Sequence, residues 1–389
     1  ELYMKKIATV FLLVVLSLAC VKKPDGLTVV VKNNLDIDRS FETVEISTTE
    51  LKSINAQNYK VIDTDTNEEL ISQVVDSNLD GTIDVLLFQP EIKANSEKTY
   101  RIEGSTSKQV DSTLMYCYSR FVPERTDDYA WENNRVAFRT FGPTAQKMKE
   151  DGVKGGTLTS GMDAWLKRVD YPIINKWYAK DAIEKGAYHK DTGEGLDNFH
   201  VGVSRGVGGT AVKVDSSYYV SKNFTNWKTV TNGLLRTAFV LEYEAYDANG
   251  KTVTETKYIS LDYGQNLSKH RVNVNGTDKL SAGLTLHKKD GITTTNKEEC
   301  WMSYWEPFDD SELGQGLVAS KGSIVAFDKF ETDIKDKSNL YAHLKVTDNI
   351  VEYYAGFGWK KSGQFDSKVA WEKYLSDFAL KVNKPLTIT

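Results

Sequence analysis

The chain is poor in the residues that staple or segment a protein: its 389 residues include three cysteines, seven prolines and five histidines. So few cysteines exclude a disulfide-framed scaffold, and Cys117 and Cys300 lie too far apart for a zinc motif. No His-and-acid spacing demands a metal, and no motif calls for a cofactor. Few prolines and no low-complexity linker argue against a string of separate modules. The net charge of −5 carries no long block of either sign, so the basic footprint of a nucleic-acid binder is missing.

Long apolar runs are missing too, with one exception. Met4, Lys5 and Lys6 precede "IATVFLLVVLSLAC", which has the charged start and short apolar stretch of an export signal. At about ten strongly apolar residues it is too short to span a bilayer stably. It ends at Cys20 behind "LSLA" and resembles a bacterial lipoprotein signal. Residues 1–20 are therefore expected to be a signal with Cys20 as the lipidated residue, a plain secretory signal being the alternative. Cys117 and Cys300 then read as buried thiols, or as one disulfide in an oxidising compartment.

What the chain does have is aromatic side chains and β pattern. Twenty Tyr, 15 Phe and 8 Trp exceed what a plain core needs. "LTVVVKNN", "TIDVLLFQP", "RVAFRTFG", "LLRTAFVLEYEAYD", "KTVTETKYISLDYG" and "NIVEYYAGFGW" alternate or run apolar and read as strands. Asn249-Gly250 and Asn275-Gly276 read as hairpin turns. Helical pattern is limited to "TAQKMKEDG", closed by Gly152, and "SKVAWEKYLSDFALKV". In the second, Ser367 is the N-cap and Trp371, Tyr374, Leu375 and Phe378 form one face. The expected architecture is all-β, a large antiparallel β-sandwich with minor helices. Residues 27–112 form an N-terminal β region and 113–389 the main sandwich.

"DSNLDGTID", residues 76–84, imitates the opening of a calcium loop with Asp76, Asn78, Asp80 and Gly81, but Leu87 stands where the twelfth-position Glu belongs. A polar β-turn and an incomplete calcium site are both open readings.

Two stretches gather chemistry. "YHKDTGEGLDNFHVGVSRGVGG", residues 188–209, holds two of the five histidines, an arginine, three acids and six glycines. "FVPERTDDYAWENNRVAFRTFGP", residues 121–143, brings Arg125, Asp128, Trp131, Glu132, Arg135 and Arg139 around a strand start. Guanidinium groups grip carboxylates bidentately, and Trp offers a flat face to a sugar ring, so Arg125, Asp128, Trp131, Glu132 and Arg135 are candidate substrate-binding residues. Lys167, just downstream of Asp163 and Trp165, is a sixth. "CWMSYWEPFDD" adds Tyr304 and Trp305, with Glu306 beside them.

The runs "PERTDDYAWENNRVAFRTFGP", "DAWLKRVDYPIINKWY", "YHKDTGEGLDNFHVGVSRGVGG", "MSYWEPFD" and "YYAGFGWKKSG" resemble a family of exported Bacteroidota proteins found among polysaccharide-degradation genes and described as a domain of unknown function. The resemblance covers roughly residues 27–385. It is to a family that includes an oligosaccharide dehydratase of ulvan breakdown. It implies a supersandwich fold of the mutarotase and lyase kind. It also implies loss of water from a non-reducing-end glucuronate, leaving a 4,5-unsaturated uronate. A uronate-containing oligosaccharide is then the ligand and the outer membrane, on its periplasmic face, the location. That reaction needs a cation on the C6 carboxylate, a base at C5 and an acid at the departing C4 hydroxyl. His189 is the expected base, Tyr188 the acid or relay and Arg205 the cation, with glycines letting the backbone approach the sugar. His287 is a second candidate for proton transfer, whereas His200, His270 and His343 read as surface or packing residues. A polysaccharide lyase using the same β-elimination and a non-catalytic glycan-binding lipoprotein are the alternatives.

Overall fold

A computed structural model describes residues 26–51, 54, 56, 58–106 and 115–389. Cys20 and the signal-like run lie outside the described residues. Each run read as a strand contains one: Gly26–Lys32, Val85–Phe88, Ala137–Thr140, Arg236–Tyr243, Thr252–Asp262 and Ile350–Trp359.

The frame is a nine-stranded antiparallel sheet running from Phe224–Thr231 at one edge to Ile292–Asn296 at the other, with Thr252–Asp262, Leu267–Asn275 and Ile350–Trp359 in its middle. Its inner face is covered by two five-stranded sheets. One contains Val207–Val214, Lys279–Thr285 and Asn339–Lys345. The other contains Tyr118–Val122, Asp128–Glu132, Ala137–Thr140, Asp163–Lys167 and Gly195–Leu196. One apolar core spans all three, from Trp131 and Phe138 through Phe239 and Ile259 to Leu284 and Phe357. This is a large all-β sandwich, as the strand pattern required.

Residues 26–105 make a smaller sandwich of a five- and a three-stranded sheet around Val31, Ile46, Val61, Phe88 and Tyr100. Its outermost strand, Thr387–Ile388, comes from the other end of the chain and pairs through Val31 and Ile388.

The Asn249-Gly250 turn has both residues at positive φ, 56° and 84°, the geometry of a tight type I′ hairpin. Asn275-Gly276 is different: it turns the chain from the nine-stranded sheet into the facing one, and only Gly276 has positive φ. It is a corner between sheets rather than a hairpin.

Three α-helices stand among the described residues: α1 Pro143–Glu150, α2 Ile174–Ile183 and α3 Lys368–Asn383. In α3 the Ser367 side chain caps the Ala370 N–H at 3.3 Å, and Trp371 and Leu375 are fully buried against Gly314 and Gly316. Helix α2 has no capping side chain of its own. Its first N–H groups are taken by a distant carboxylate: Glu132 accepts from Ile173 N and Ile174 N, each at 2.9 Å. No described helix is long and apolar enough to cross a membrane.

Candidate active site

Strands Asp128–Glu132, Ala137–Thr140 and Asp163–Lys167 turn one face to the core and the other toward α2 and the segment that follows it. Alternation along the strands puts Asp128, Arg139 and Asp163 on this second face. The chain then returns beside them, and Asp197 completes the group. Arg139 Nη2 lies 2.5 Å from Asp163 Oδ2 and 2.9 Å from Asp197 Oδ2, and its Nη1 lies 3.6 Å from Asp128 Oδ2. All four side chains are buried. Trp165, Tyr188 and Phe141 surround the guanidinium with rings 5.2 to 5.8 Å from its carbon.

One guanidinium cannot neutralise three carboxylates. Burial raises the Asp128 carboxyl to about 6, although Arg139 and Arg125 pull it down. Asp163 is pushed well above the usual carboxylate range, by burial first and by the neighbouring Asp197 second. Asp197 is raised by burial against the pull of Arg139. The cluster therefore retains protons that exposed acids would lose. Asp128 Oδ1, Asp163 Oδ1, Arg139 Nη1 and Trp165 Nε1 are buried without a hydrogen-bond partner.

Three residues expected from the sequence meet at the rim of this cluster. His189 Nδ1 lies 2.5 Å from the Asp197 backbone carbonyl and 3.7 Å from its carboxylate. Since a carbonyl only accepts, Nδ1 carries the hydrogen and Nε2 is left as the acceptor. The His189 side chain is 53 % exposed, so that nitrogen is open to a ligand. The Tyr188 ring sits 4.4 Å from that of His189, and its hydroxyl accepts from Arg125 Nε at 3.1 Å. Arg125 is half-buried and has no carboxylate within ion-pair distance among the described residues.

The other expected residues are placed elsewhere. Arg205 is buried among Ser160 Oγ, Thr210 O and Val203 O at 3.0 to 3.2 Å and points into the sandwich, away from His189. The glycines around it serve backbone packing. A Cβ on Gly195 would stand 1.9 Å from Leu166 O, and one on Gly206 would stand 1.9 Å from Met162 O; both have positive φ. Trp131 faces the core, stacked on Phe138 and bonded to Ser268 Oγ at 3.0 Å, so it offers no ring to a sugar. Lys167 donates to Glu132 Oε2, Asn133 O and Tyr171 O at 2.8 to 2.9 Å, using all three hydrogens. Glu132 and Lys167 are a fully buried pair that seats α2. Arg135 donates to Asn266 Oδ1 at 2.6 Å in a separate network. Tyr304 is fully buried, with its hydroxyl taken by Gly291 N at 3.1 Å, and Trp305 packs under α3 and donates to Glu312 at 3.1 Å.

His287 forms its own arrangement. Its Nδ1 lies 2.7 Å from the buried Glu306 carboxylate, which Gln315 Nε2 also reaches at 3.0 Å. The Phe199 ring meets the imidazole edge-on at 4.5 Å. His200 pairs with Asp336 at the surface, His270 is buried and stacked on Tyr353, and His343 is bonded to Ser281.

Among the described residues no group of three or more His, Cys, Asp or Glu side chains is arranged to hold a metal. In the 76–84 loop the Asp76 carboxylate accepts from Asp80 N and Gly81 N, and Asp80 accepts from Thr82 N, so these oxygens cap their own turn. Cys117 and Cys300 are separate buried thiols.

The fold and the acid-rich site beneath α2 define an all-β sandwich protein with a buried Asp–Arg cluster. The chain belongs to the family described as "Domain of unknown function (DUF4861)", whose model matches residues 31–388. "Uncharacterized protein P7" of Formosa agariphila is 56 % identical over 368 residues, covering 93 % of this chain and 92 % of that protein. Among solved structures, a protein in glycosyl hydrolase family 38 from Enterococcus faecalis matches at a TM-score of 0.51 with 10 % identity, over 94 % of this chain and 47 % of that one. An alpha-mannosidase from Enterococcus faecalis V583 matches at 0.46 and 10 %, over 94 % and 46 %. The chain thus spans about half the length of the solved structures it matches. At 10 % identity the likeness to the glycosyl hydrolase family 38 protein is one of fold alone.

Proposed function

We propose that the protein is a carbohydrate dehydratase that removes water from the non-reducing-end glucuronate of ulvan-type oligosaccharides. The observation that carries this reading is the Arg125–Tyr188–His189 line at the rim of the acid cluster. Arg125, free of any carboxylate partner among the described residues, is suited to grip the C6 carboxylate and to stabilise the enolate-like charge that develops when C5 loses its proton. His189 Nε2 takes that proton, while its Nδ1 is held by the Asp197 backbone carbonyl. Tyr188, between clamp and base, hands a proton to the departing O4. The elimination breaks C5–H and C4–O, forms C4=C5 and releases water. Arg205, expected from the sequence as the clamp, is replaced in this role by Arg125 because its guanidinium is buried among backbone carbonyls and hydroxyls.

The test is incubation with oligosaccharides that end in an intact glucuronate, following ultraviolet absorbance and product mass together. Dehydration gives rising absorbance, loss of one water and unchanged chain length. Shorter unsaturated chains would make the protein a lyase, and absence of both signals would leave a glycan-binding protein. Lipid anchoring through Cys20 at the periplasmic face of the outer membrane belongs to the same proposal. It is tested by labelling with a palmitate analogue, which should mark the wild type and not Cys20→Ala.

A further inference from the structure

The residues between Asp197 and Phe199 separate two sets of buried polar groups. On one side Asp197 meets Arg139; on the other the Phe199 ring covers His287. Only Asn198 stands between the two residues in the chain, so the two sets of groups are neighbours. Around Phe199 and His287, three polar atoms are buried without partners: His287 Nε2, Gln315 Oε1 and Asn198 Oδ1. Their neighbours set what each offers. Glu306 takes His287 Nδ1, so Nε2 is the ring nitrogen left for a ligand. Gln315 Nε2 serves Thr285 O at 2.8 Å and Glu306 Oε1 at 3.0 Å, both acceptors, which fixes the amide with its oxygen free. The Asn198 amide nitrogen faces the Asp309 carboxylate, which fixes it the same way.

Leaving a buried polar atom without a hydrogen bond is unfavourable. An apolar triplet would pack at least as well, so packing does not explain this set. Phe199, Phe308 and His287 are 5 %, 9 % and 12 % exposed, which places the group just beneath the surface. Two amide oxygens and an imidazole nitrogen suit a ligand that brings hydroxyls, which both donate and accept, and the flanking rings suit the apolar face of a sugar.

We infer that His287, Gln315 and Asn198 form a hydroxyl-binding subsite for the sugar next to the glucuronate, with Phe199 as its cover and Glu306 as the residue that positions His287. The inference rests on the dehydratase reading for the direction of the chain, but the subsite's binding is independent of turnover. His287 then recognises substrate instead of moving a proton.

Calorimetric titration of the full-length His189→Ala protein tests it, with three probes: glucuronic acid, a glucuronate-terminated tetrasaccharide, and a neutral oligosaccharide of equal length. The tetrasaccharide should bind at least about tenfold tighter than glucuronic acid, and adding His287→Phe should remove roughly that factor while glucuronic acid binding is unchanged. Asn198→Ala should shift affinity the same way, and it leaves the Glu306 pair intact should His287→Phe fold poorly. In active protein these changes should raise KM for the tetrasaccharide with little change in kcat. Equal effects on glucuronic acid and tetrasaccharide, or no effect on either, overturn the subsite, as does failure of both oligosaccharides to bind. If the neutral probe alone binds and loses affinity in His287→Phe, the subsite stands and the dehydratase reading fails.

Discussion

Asp163 and Asp197 place one carboxylate oxygen each on the same nitrogen of Arg139, at 2.5 and 2.9 Å. Neither acid can be exchanged for a neutral residue without changing the charge state of the other. Removing the shared cation should be worse. In Arg139→Met the buried carboxylates lose their principal counter-charge, and the expected loss is about 3–5 kcal/mol in urea denaturation. A loss below about 1 kcal/mol would mean that the acids are already neutral without it.

The pH dependence of stability should show two opposing groups. Burial raises Asp128 from 3.8 to about 6, so the native state holds a proton that the unfolded chain releases. That contribution is full below the unfolded value and is lost as pH rises through about 6. His270 behaves in the opposite sense: burial depresses it from 6.5 to about 3, so its contribution is present above 6.5 and is lost as pH falls toward 3. Asp128→Asn should therefore flatten the fall in melting temperature toward neutral pH, and His270→Phe should flatten the fall toward acid. Unchanged slopes in both variants would contradict these assignments.

Lys167→Met leaves Glu132 buried without its cation and should cost about 3–5 kcal/mol. Lys167→Met with Glu132→Gln should recover much of this, since the amide oxygen can still accept from Ile173 N and Ile174 N. Because the pair seats α2 and touches no ligand surface, the folded double variant should bind glucuronate-terminated oligosaccharide as the wild type does. A change in affinity with unaltered stability would return the pair to the substrate-binding role that the sequence suggested.

The parts of the fold that were legible in the sequence are those set by local pattern. Strand alternation, the Asn249-Gly250 turn and the Ser367 cap each depend on neighbours within a few residues. Helix α2 was missed because its cap is Glu132, 41 residues away in the chain. The site was legible in part for the same reason. Tyr188, His189 and Arg125 stand out by residue type, whereas Asp197 joins the candidate site only through its return beside Arg139. Trp131 and Arg205 misled because both faces of their segments are covered, and no period of two separates a ligand-facing side from a buried one. The glycines of 193–209 read as letting the backbone approach a sugar; at Gly195 and Gly206 they mark backbone crossings too close for a Cβ.

Arg125→Lys should retain the fold and lose most turnover, since an ammonium cannot reproduce the two-pronged grip on a carboxylate. Its KM for a glucuronate-terminated oligosaccharide should rise while kcat falls. Wild-type kinetics in this variant would move the carboxylate clamp elsewhere.

The most direct measurement compares wild type with His189→Ala, each shown to be folded by its thermal melt, on a glucuronate-terminated oligosaccharide, reading ultraviolet absorbance and product mass in the same reaction. The wild type should yield a product one water lighter with unchanged chain length, and His189→Ala should form it about 10²–10⁴-fold more slowly. Equal rates in the two proteins, or a wild type that forms no unsaturated product, would contradict the account.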